Sequence, residues 1–119
     1  MTKIKFKISV NNWLKGDYDK KTKEEILRLK KENSEELMDS FYKELEFGTG
    51  GMRGVMGVGP NRMNKYTVGA ATQGVAQFLK KKYQKEPCKV VIGYDSRNNS
   101  KYFADVTADI LSANGIQCF

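Results

Sequence analysis

Histidine is absent from the 119 residues. That removes the commonest general base near neutral pH and the commonest transition-metal ligand. Any chemistry must use carboxylates, hydroxyls, lysine, arginine, backbone amides or groups supplied from elsewhere. Cysteine is scarce. Cys88 and Cys118 are too few and too isolated for a disulfide framework, and no CxxC pair suggests zinc. Both fall in or beside apparent strands and are read as buried thiols. No apolar run reaches the ~20 residues a bilayer span requires. The opening MTKIKFKISVNNWLKG sets lysines among apolar residues and lacks the continuous apolar stretch of a secretory signal. The chain is therefore expected to be cytosolic, and the sequon Asn98-Asn99-Ser100 is discounted as a glycosylation site.

Hydrophobic residues at 39% and charged residues at 29% allow a real but modest core and argue against disorder throughout. The length suits one domain or part of one. The net charge is +7. Its lysines are scattered (Lys20–Lys23, Lys30–Lys31, Lys80–Lys82) and form no aromatic-interleaved block, so nucleic-acid binding is not expected. The run Lys80–Lys82 suits the last turn of a helix, where the helix dipole favours cations.

From Asn11 to Phe47 the chain lacks proline and reads as helix. Leu37, Phe41 and Leu45 recur at helical spacing, with Met38 and Tyr42 beside them. Ser34 is the expected N-cap, with Glu35 and Glu36 at the positive helix end. A shorter piece upstream carries Trp13, Ile26, Leu27 and Leu29, opened by Asp17 or Thr22, with Glu24 and Arg28 paired at i,i+4. A second helix follows Asn64, its stripe formed by Val68, Ala71, Val75, Phe78 and Leu79. Val90 to Ile92 form a continuous β-branched run, read as a buried parallel strand. Asn99 or Ser100 caps a third helix, with Phe103, Val106, Ile110 and Leu111 facing the core and Gly115 as its C′ residue. IQCF then begins another strand. This alternation predicts an α/β layer fold. A chain that stops on an opening strand reads as a truncated domain.

Two stretches concentrate chemistry. EFGTGGMRGVMGVGPNRMN carries six glycines and two arginines. Glycines let backbone N–H groups approach an oxyanion, Thr49 adds a hydroxyl, and Arg53 adds a fork of donors that suits phosphate. No GK[ST] follows, so this is not a Walker A motif. A short strand is expected at Val55–Val58 and a turn at Gly59-Pro60-Asn61. Phosphate contact and a structural turn both stay open for this loop, and Arg62 faces either the same ligand or solvent. The second stretch is GYDSRNNS. Asp95 and Arg97 lie past the carboxyl end of the expected parallel strand, where ligands of open α/β sheets gather. Taken alone, it reads first as a loop held by Asp95–Arg97 or Asp95–backbone contacts.

Four ordered blocks carry a resemblance: FGTGGMRGVMGVGPNRMN (Phe47–Asn64), YTVGAATQG (Tyr66–Gly74), VVIGYDSRNNS (Val90–Ser100) and SANGI (Ser112–Ile116). Together they resemble the amino-terminal domain of the α-D-phosphohexomutases, in the phosphoglucomutase/phosphomannomutase branch with a long helical extension. The resemblance runs from about Trp13 to the end of the chain.

It implies a helical extension over residues 1–46 and a partial domain over 47–119. The implied domain is a three-layer α/β/α sandwich with a mixed, mainly parallel sheet. It also implies a magnesium-dependent enzyme of four domains that moves a phosphoryl group between the 1- and 6-positions of a hexose. A phosphoserine donates that group, and a sugar bisphosphate serves as intermediate and activator. Arg53 is the implied catalytic residue. Thr49, Gly50, Gly51, Asp95 and Arg97 are the implied substrate-binding set, with Gly93 in the same GxDxR block. The family's serine block, metal loop and sugar-selecting loop have no counterpart in this sequence, and neither Ser96 nor Ser100 sits in the serine's context. The chain is thus expected to be inactive alone and to depend on further domains of its own polypeptide, with no membrane or nucleic-acid partner. A stand-alone module binding phosphate or a sugar phosphate, and a phosphopentomutase of the same family, are the alternatives.

Overall fold

The proline-free stretch folds as three helices: α1 (Lys3–Lys15), α2 (Lys20–Glu32) and α3 (Ser34–Phe41). Helix thus begins well before Asn11. The caps are Asp19 and Asn33, not Asp17, Thr22 or Ser34. Asp19 accepts from the Thr22 amide at 2.7 Å. Asn33 serves two helices at once: its N–H donates to the Leu29 carbonyl at 2.8 Å and its side chain accepts from the Glu36 amide at 3.2 Å. One extended residue between helices satisfies an orphan carbonyl and an orphan amide, so the chain bends without a loop. Arg28 pairs with Glu25 and Glu32 rather than Glu24, which faces Lys20.

These coordinates are a computed structural model that describes residues 3–85 and 87–119. The chain divides into two compact units, Met1–Asn64 and Lys65–Phe119. In the first, α1, α2 and α3 pack on one another around Val10, Trp13, Ile26, Leu29, Leu37 and Phe41. Trp13 stacks on Tyr18 at 4.2 Å between ring centroids and meets Phe41 edge-on at 5.5 Å.

Helix α3 stops at Phe41, six residues short of the expected end, because tertiary donors take its terminal carbonyls. The Asn61 amide donates to the Ser40 carbonyl at 3.0 Å, and the Asn61 side chain donates to the Asp39 carbonyl at 2.9 Å. Leu45 therefore leaves the helical stripe, and its N–H donates to the Pro60 carbonyl at 2.8 Å. The turn at Gly59-Pro60-Asn61 forms as expected, with Gly59 at φ 106. A Cβ on Gly59 would stand 2.5 Å from the Ser40 carbonyl oxygen, so only glycine lets this turn seat on the end of α3. Beyond the helices, β1 (Phe47–Gly48) pairs antiparallel with β2 (Gly51–Met52). The strand expected at Val55–Val58 reduces to a single bridge between Met56 and Met63.

In the second unit, α4 (Lys65–Lys82) and α5 (Ser100–Ala113) pack together, and β3 (Lys89–Val90) pairs in parallel with β4 (Gln117–Cys118). The ladder continues past these bounds: the Phe119 amide donates to the Val90 carbonyl at 3.0 Å and the Ile92 amide to the Phe119 carbonyl at 2.8 Å. Ala76, Leu111 and Ile116 form the core, joined by Leu79, Cys88, Val90, Ile92 and Cys118. The parallel pairing is as expected, but β3 is covered on one face only, since Val91 is 82% exposed. The α/β character holds. The three-layer sandwich does not emerge from these short strands, which form two two-stranded sheets among the described residues.

The buried face of α4 is also rotated from expectation. Val68, Gly69, Thr72 and Ala76 are buried, whereas Val75 and Phe78 are exposed. Small residues sit inside because α5 comes close: a Cβ on Gly69 would fall 2.9 Å from the Ile110 Cδ1. Helix α5 ends as its sequence indicates. Gly115 at φ 76 lets the Ile116 amide reach the Leu111 carbonyl at 3.0 Å and its own amide reach the Ser112 carbonyl at 3.0 Å, a Schellman motif. No helix among the described residues is long and apolar enough to cross a membrane.

Candidate functional site

Thr49 and Gly50 form the tip of the β1–β2 hairpin, and Gly51 follows at φ 104. The register Gly48↔Gly51 leaves only those two residues to close the turn. Positive φ just after the tip is the arrangement used by hairpin loops that end in a left-handed residue. Arg53, one residue past β2, folds back over this tip. A Cβ on Gly50 would lie 3.2 Å from the Arg53 Nη2, so the missing side chain is what lets the guanidinium rest on the loop backbone. Among the described residues Arg53 has no ion pair and no side-chain hydrogen bond, and it is exposed. A free guanidinium with five donors thus lies beside a bare turn, which is an arrangement receptive to an oxyanion.

Arg62, left open by the sequence, has a structural role. Its side chain is 5% exposed and its Nη2 reaches Glu36 at 3.0 Å and also Asp39. Its Nη1 donates to the Asn61 carbonyl at 3.1 Å. Burial works against the charge, but the hydrogen bonds to Asp39 and Glu36 outweigh it and raise the pKa. The aliphatic stem packs beneath Gly57. This arginine ties the loop to α3.

In the second unit, Asp95 and Arg97 stand in the loop after β3. The Asp95 Oδ1 accepts from the Arg97 amide at 2.9 Å, and its Oδ2 accepts from the Arg97 Nε at 2.8 Å. The Arg97 amide, then the Arg97 side chain, hold the Asp95 carboxyl below its ordinary range. The contact expected from the sequence is therefore present, and it occupies the carboxylate. Asp95 thus braces Arg97. Arg97 remains 86% exposed, with its terminal nitrogens unbonded among the described residues. The structure thus gathers Thr49, Gly50, Gly51 and Arg53 in one unit and Asp95 and Arg97 in the other.

Two features escaped the sequence reading. The Asp95 amide donates to the Ser100 Oγ at 3.0 Å, so the first residue of α5 anchors the loop. Asn99, the N-cap position, lies at φ 64 and makes no side-chain capping bond. The other feature is a reciprocal amide pair. Asn114 donates to Gln73 at 2.8 Å and accepts from it at 3.3 Å. It joins the YTVGAATQG and SANGI blocks across α4 and α5. Nothing in a single sequence signals a pair 41 positions apart. Among the described residues no group of three His, Cys, Asp or Glu side chains could hold a metal ion. The magnesium implied by the resemblance finds no ligand set among the described residues.

Residues 44–119 match the family model described as phosphoglucomutase/phosphomannomutase, alpha/beta/alpha domain I. A phosphoglucomutase of Staphylococcus haemolyticus is 42% identical over 79 residues, covering 66% of this chain and 14% of that protein. The phosphopentomutase of Homo sapiens is 36% identical over 115 residues, covering 90% of this chain and 19% of its own length. The phosphoribomutase of Saccharomyces cerevisiae is 36% identical over 109 residues, covering 91% and 17%. The chain thus spans less than a fifth of the length of these relatives. No solved structure matches it. By its domain I match and by these relatives, the chain belongs to the phosphoglucomutase/phosphomannomutase family.

Proposed function

We propose that the chain is the opening part of a phosphosugar mutase that interconverts hexose 1-phosphate and 6-phosphate through a phosphoserine on the protein. The observation that carries this reading is the unpaired Arg53 guanidinium lying over the Gly50 backbone. Phosphoryl transfer depends on positioning and on stabilising charge spread over phosphate oxygens. A planar fork beside the Thr49–Gly51 turn supplies both. Arg53 meets the oxygens of the transferring group, and Thr49, Gly50 and Gly51 shape the wall behind it. Arg97, braced by Asp95, contacts a phosphate of the sugar. The phosphorylated serine, the magnesium ligands and the sugar-selecting groups belong to further domains of the same polypeptide, consistent with matches that cover only 14% and 19% of the relatives' length. A sugar bisphosphate primes the serine.

The test is Arg53→Ala in the polypeptide that carries all four domains. Loss of one charge-stabilising contact lowers turnover by about 100-fold or more. An unaltered rate removes Arg53 from the chemistry. A second reading, pentose phosphate as substrate, is favoured by one observation. The phosphopentomutase and phosphoribomutase relatives match 90% or more of the chain, the phosphoglucomutase relative 66%. The ratio of kcat/KM for ribose 1-phosphate and glucose 1-phosphate decides between them.

A further inference from the structure

Ser100 sits at the first turn of α5 and directs its hydroxyl into the GYDSRNNS loop. It accepts the Asp95 amide at 3.0 Å. Asp95 in turn takes both the Arg97 amide and the Arg97 Nε. The Arg97 amide and Nε therefore converge on one carboxylate, and that carboxylate's own peptide is fixed by one hydroxyl. The loop closes on itself a second time where the Ser100 amide donates to the Arg97 carbonyl at 3.1 Å. Helix α5 runs from there for 14 residues and is anchored at its far end by the Schellman turn and the Asn114–Gln73 pair. A rigid element thus holds the serine, the serine holds the aspartate, and the aspartate aims the guanidinium.

The nitrogens left over are what make the arrangement meaningful. Nε is spent on Asp95, so the Arg97 guanidinium cannot swing freely about its long side chain. Its outer edge, 86% exposed at the side chain, is the edge that grips oxyanions in bidentate fashion. Holding that edge in place before a ligand arrives reduces the ordering cost of binding.

We propose that Ser100 is a positioning residue that fixes Asp95 and, through it, presents the Arg97 terminal nitrogens to a phosphate oxygen of the phosphorylated sugar. The inference rests on the assignment of Arg97 to phosphate given above. It gives Ser100 a task that needs no nucleophilic role and turns Asp95 from a substrate ligand into a brace.

The test uses the 119-residue chain and inorganic phosphate as probe, read by NMR at the Arg97 side chain. In the unmodified chain the Arg97 Nε–H exchanges slowly with water and shifts on phosphate addition. Ser100→Ala should speed that exchange and weaken phosphate binding about fivefold, while Ser100→Thr, which keeps the hydroxyl, retains both. A helix that merely loses stability shows the same loss of circular dichroism signal in both variants, and Thr rescue excludes it. The proposal is overturned by an unchanged Arg97 exchange rate and phosphate affinity in Ser100→Ala, or by the absence of any phosphate shift at Arg97. Its failure is separable from that of the mutase reading. A chain whose Arg97 responds to phosphate in a Ser100-dependent way keeps this proposal even where the four-domain protein shows no mutase turnover.

Discussion

Three arginines near the glycine-rich stretch and the β3 loop meet three different fates, decided by what stands around each. Arg62 is buried and bonded to two carboxylates and a carbonyl, so its removal opens packing and leaves those acceptors without a donor. Arg62→Ala should cost about 2 kcal/mol in urea unfolding, because hydrogen bonds to charged groups weigh more than neutral ones. The partners are half-exposed and water partly replaces the lost donor, which keeps the cost from being larger. Arg53→Ala touches no partner and should change stability by less than about 0.5 kcal/mol. Equal losses from the two substitutions would contradict this division. Asp95 adds a pH signature. Its carboxyl is held low chiefly by the Arg97 amide, so the order it lends the loop is fully present above the ordinary carboxylate range. That order is lost only as pH falls through its depressed value. The Arg97 Nε–H signal should thus survive into acid and then fade with the Asp95 titration. In Asp95→Asn the acid step should vanish, and a step that persists there assigns the titration to another group.

At the scale of elements, what the sequence made legible follows from how local each cause is. The strand character of β3 and β4, the basic last turn of α4 and the Gly115 stop of α5 depend on residues within a few positions, and all are present. The end of α3 was not legible. Leu37, Phe41 and Leu45 keep helical spacing, yet the Gly59–Asn61 turn removes Leu45 from the helix by occupying the carbonyls of Asp39 and Ser40. That cause lies some twenty residues away along the chain, so no periodicity contains it. The α4 stripe misled for a related reason. Val75 and Phe78 are larger and more apolar than Thr72 and Ala76, but the close approach of α5 selects small side chains for the inner face. Within the site, a glycine loop with Arg53 beside it was readable from composition, whereas its closure as a hairpin and the Ser100 anchor were not. A matched pair of glycine substitutions tests the long-range account. Gly59→Ala places a Cβ 2.5 Å from backbone at positive φ and should cost more than about 3 kcal/mol, with α3 losing its defined end. Gly115→Ala also stands at positive φ but in open space, and should cost about 1 kcal/mol. Similar losses at the two sites would show that backbone conformation alone, and not the seating on α3, sets the requirement at Gly59.

For the whole molecule, the question is how much of a reaction 119 residues can perform. The described residues offer an anion-receptive hairpin in one unit and a braced guanidinium in the other, yet no three-residue metal cluster and no histidine. Donors that stabilise phosphate accelerate nothing unless a nucleophile and its base are held within reach of the phosphorus. The chain by itself should therefore bind phosphate weakly and turn over nothing. With magnesium and a sugar bisphosphate present, it should convert no measurable glucose 1-phosphate to glucose 6-phosphate, and ribose 1-phosphate should fare no better. Turnover comparable with a phosphoglucomutase of full length would refute this and would require a nucleophile among its own hydroxyls. Calorimetry adds the other boundary. A sugar phosphate that saturates the chain far more tightly than inorganic phosphate would mean that recognition of the sugar is complete within these residues, and the stand-alone binding module would then be the better account. Equal, weak binding of both ligands is the expected outcome, because the proposed roles of Arg53 and Arg97 are toward phosphoryl oxygens and none of the groups proposed for the site addresses the sugar.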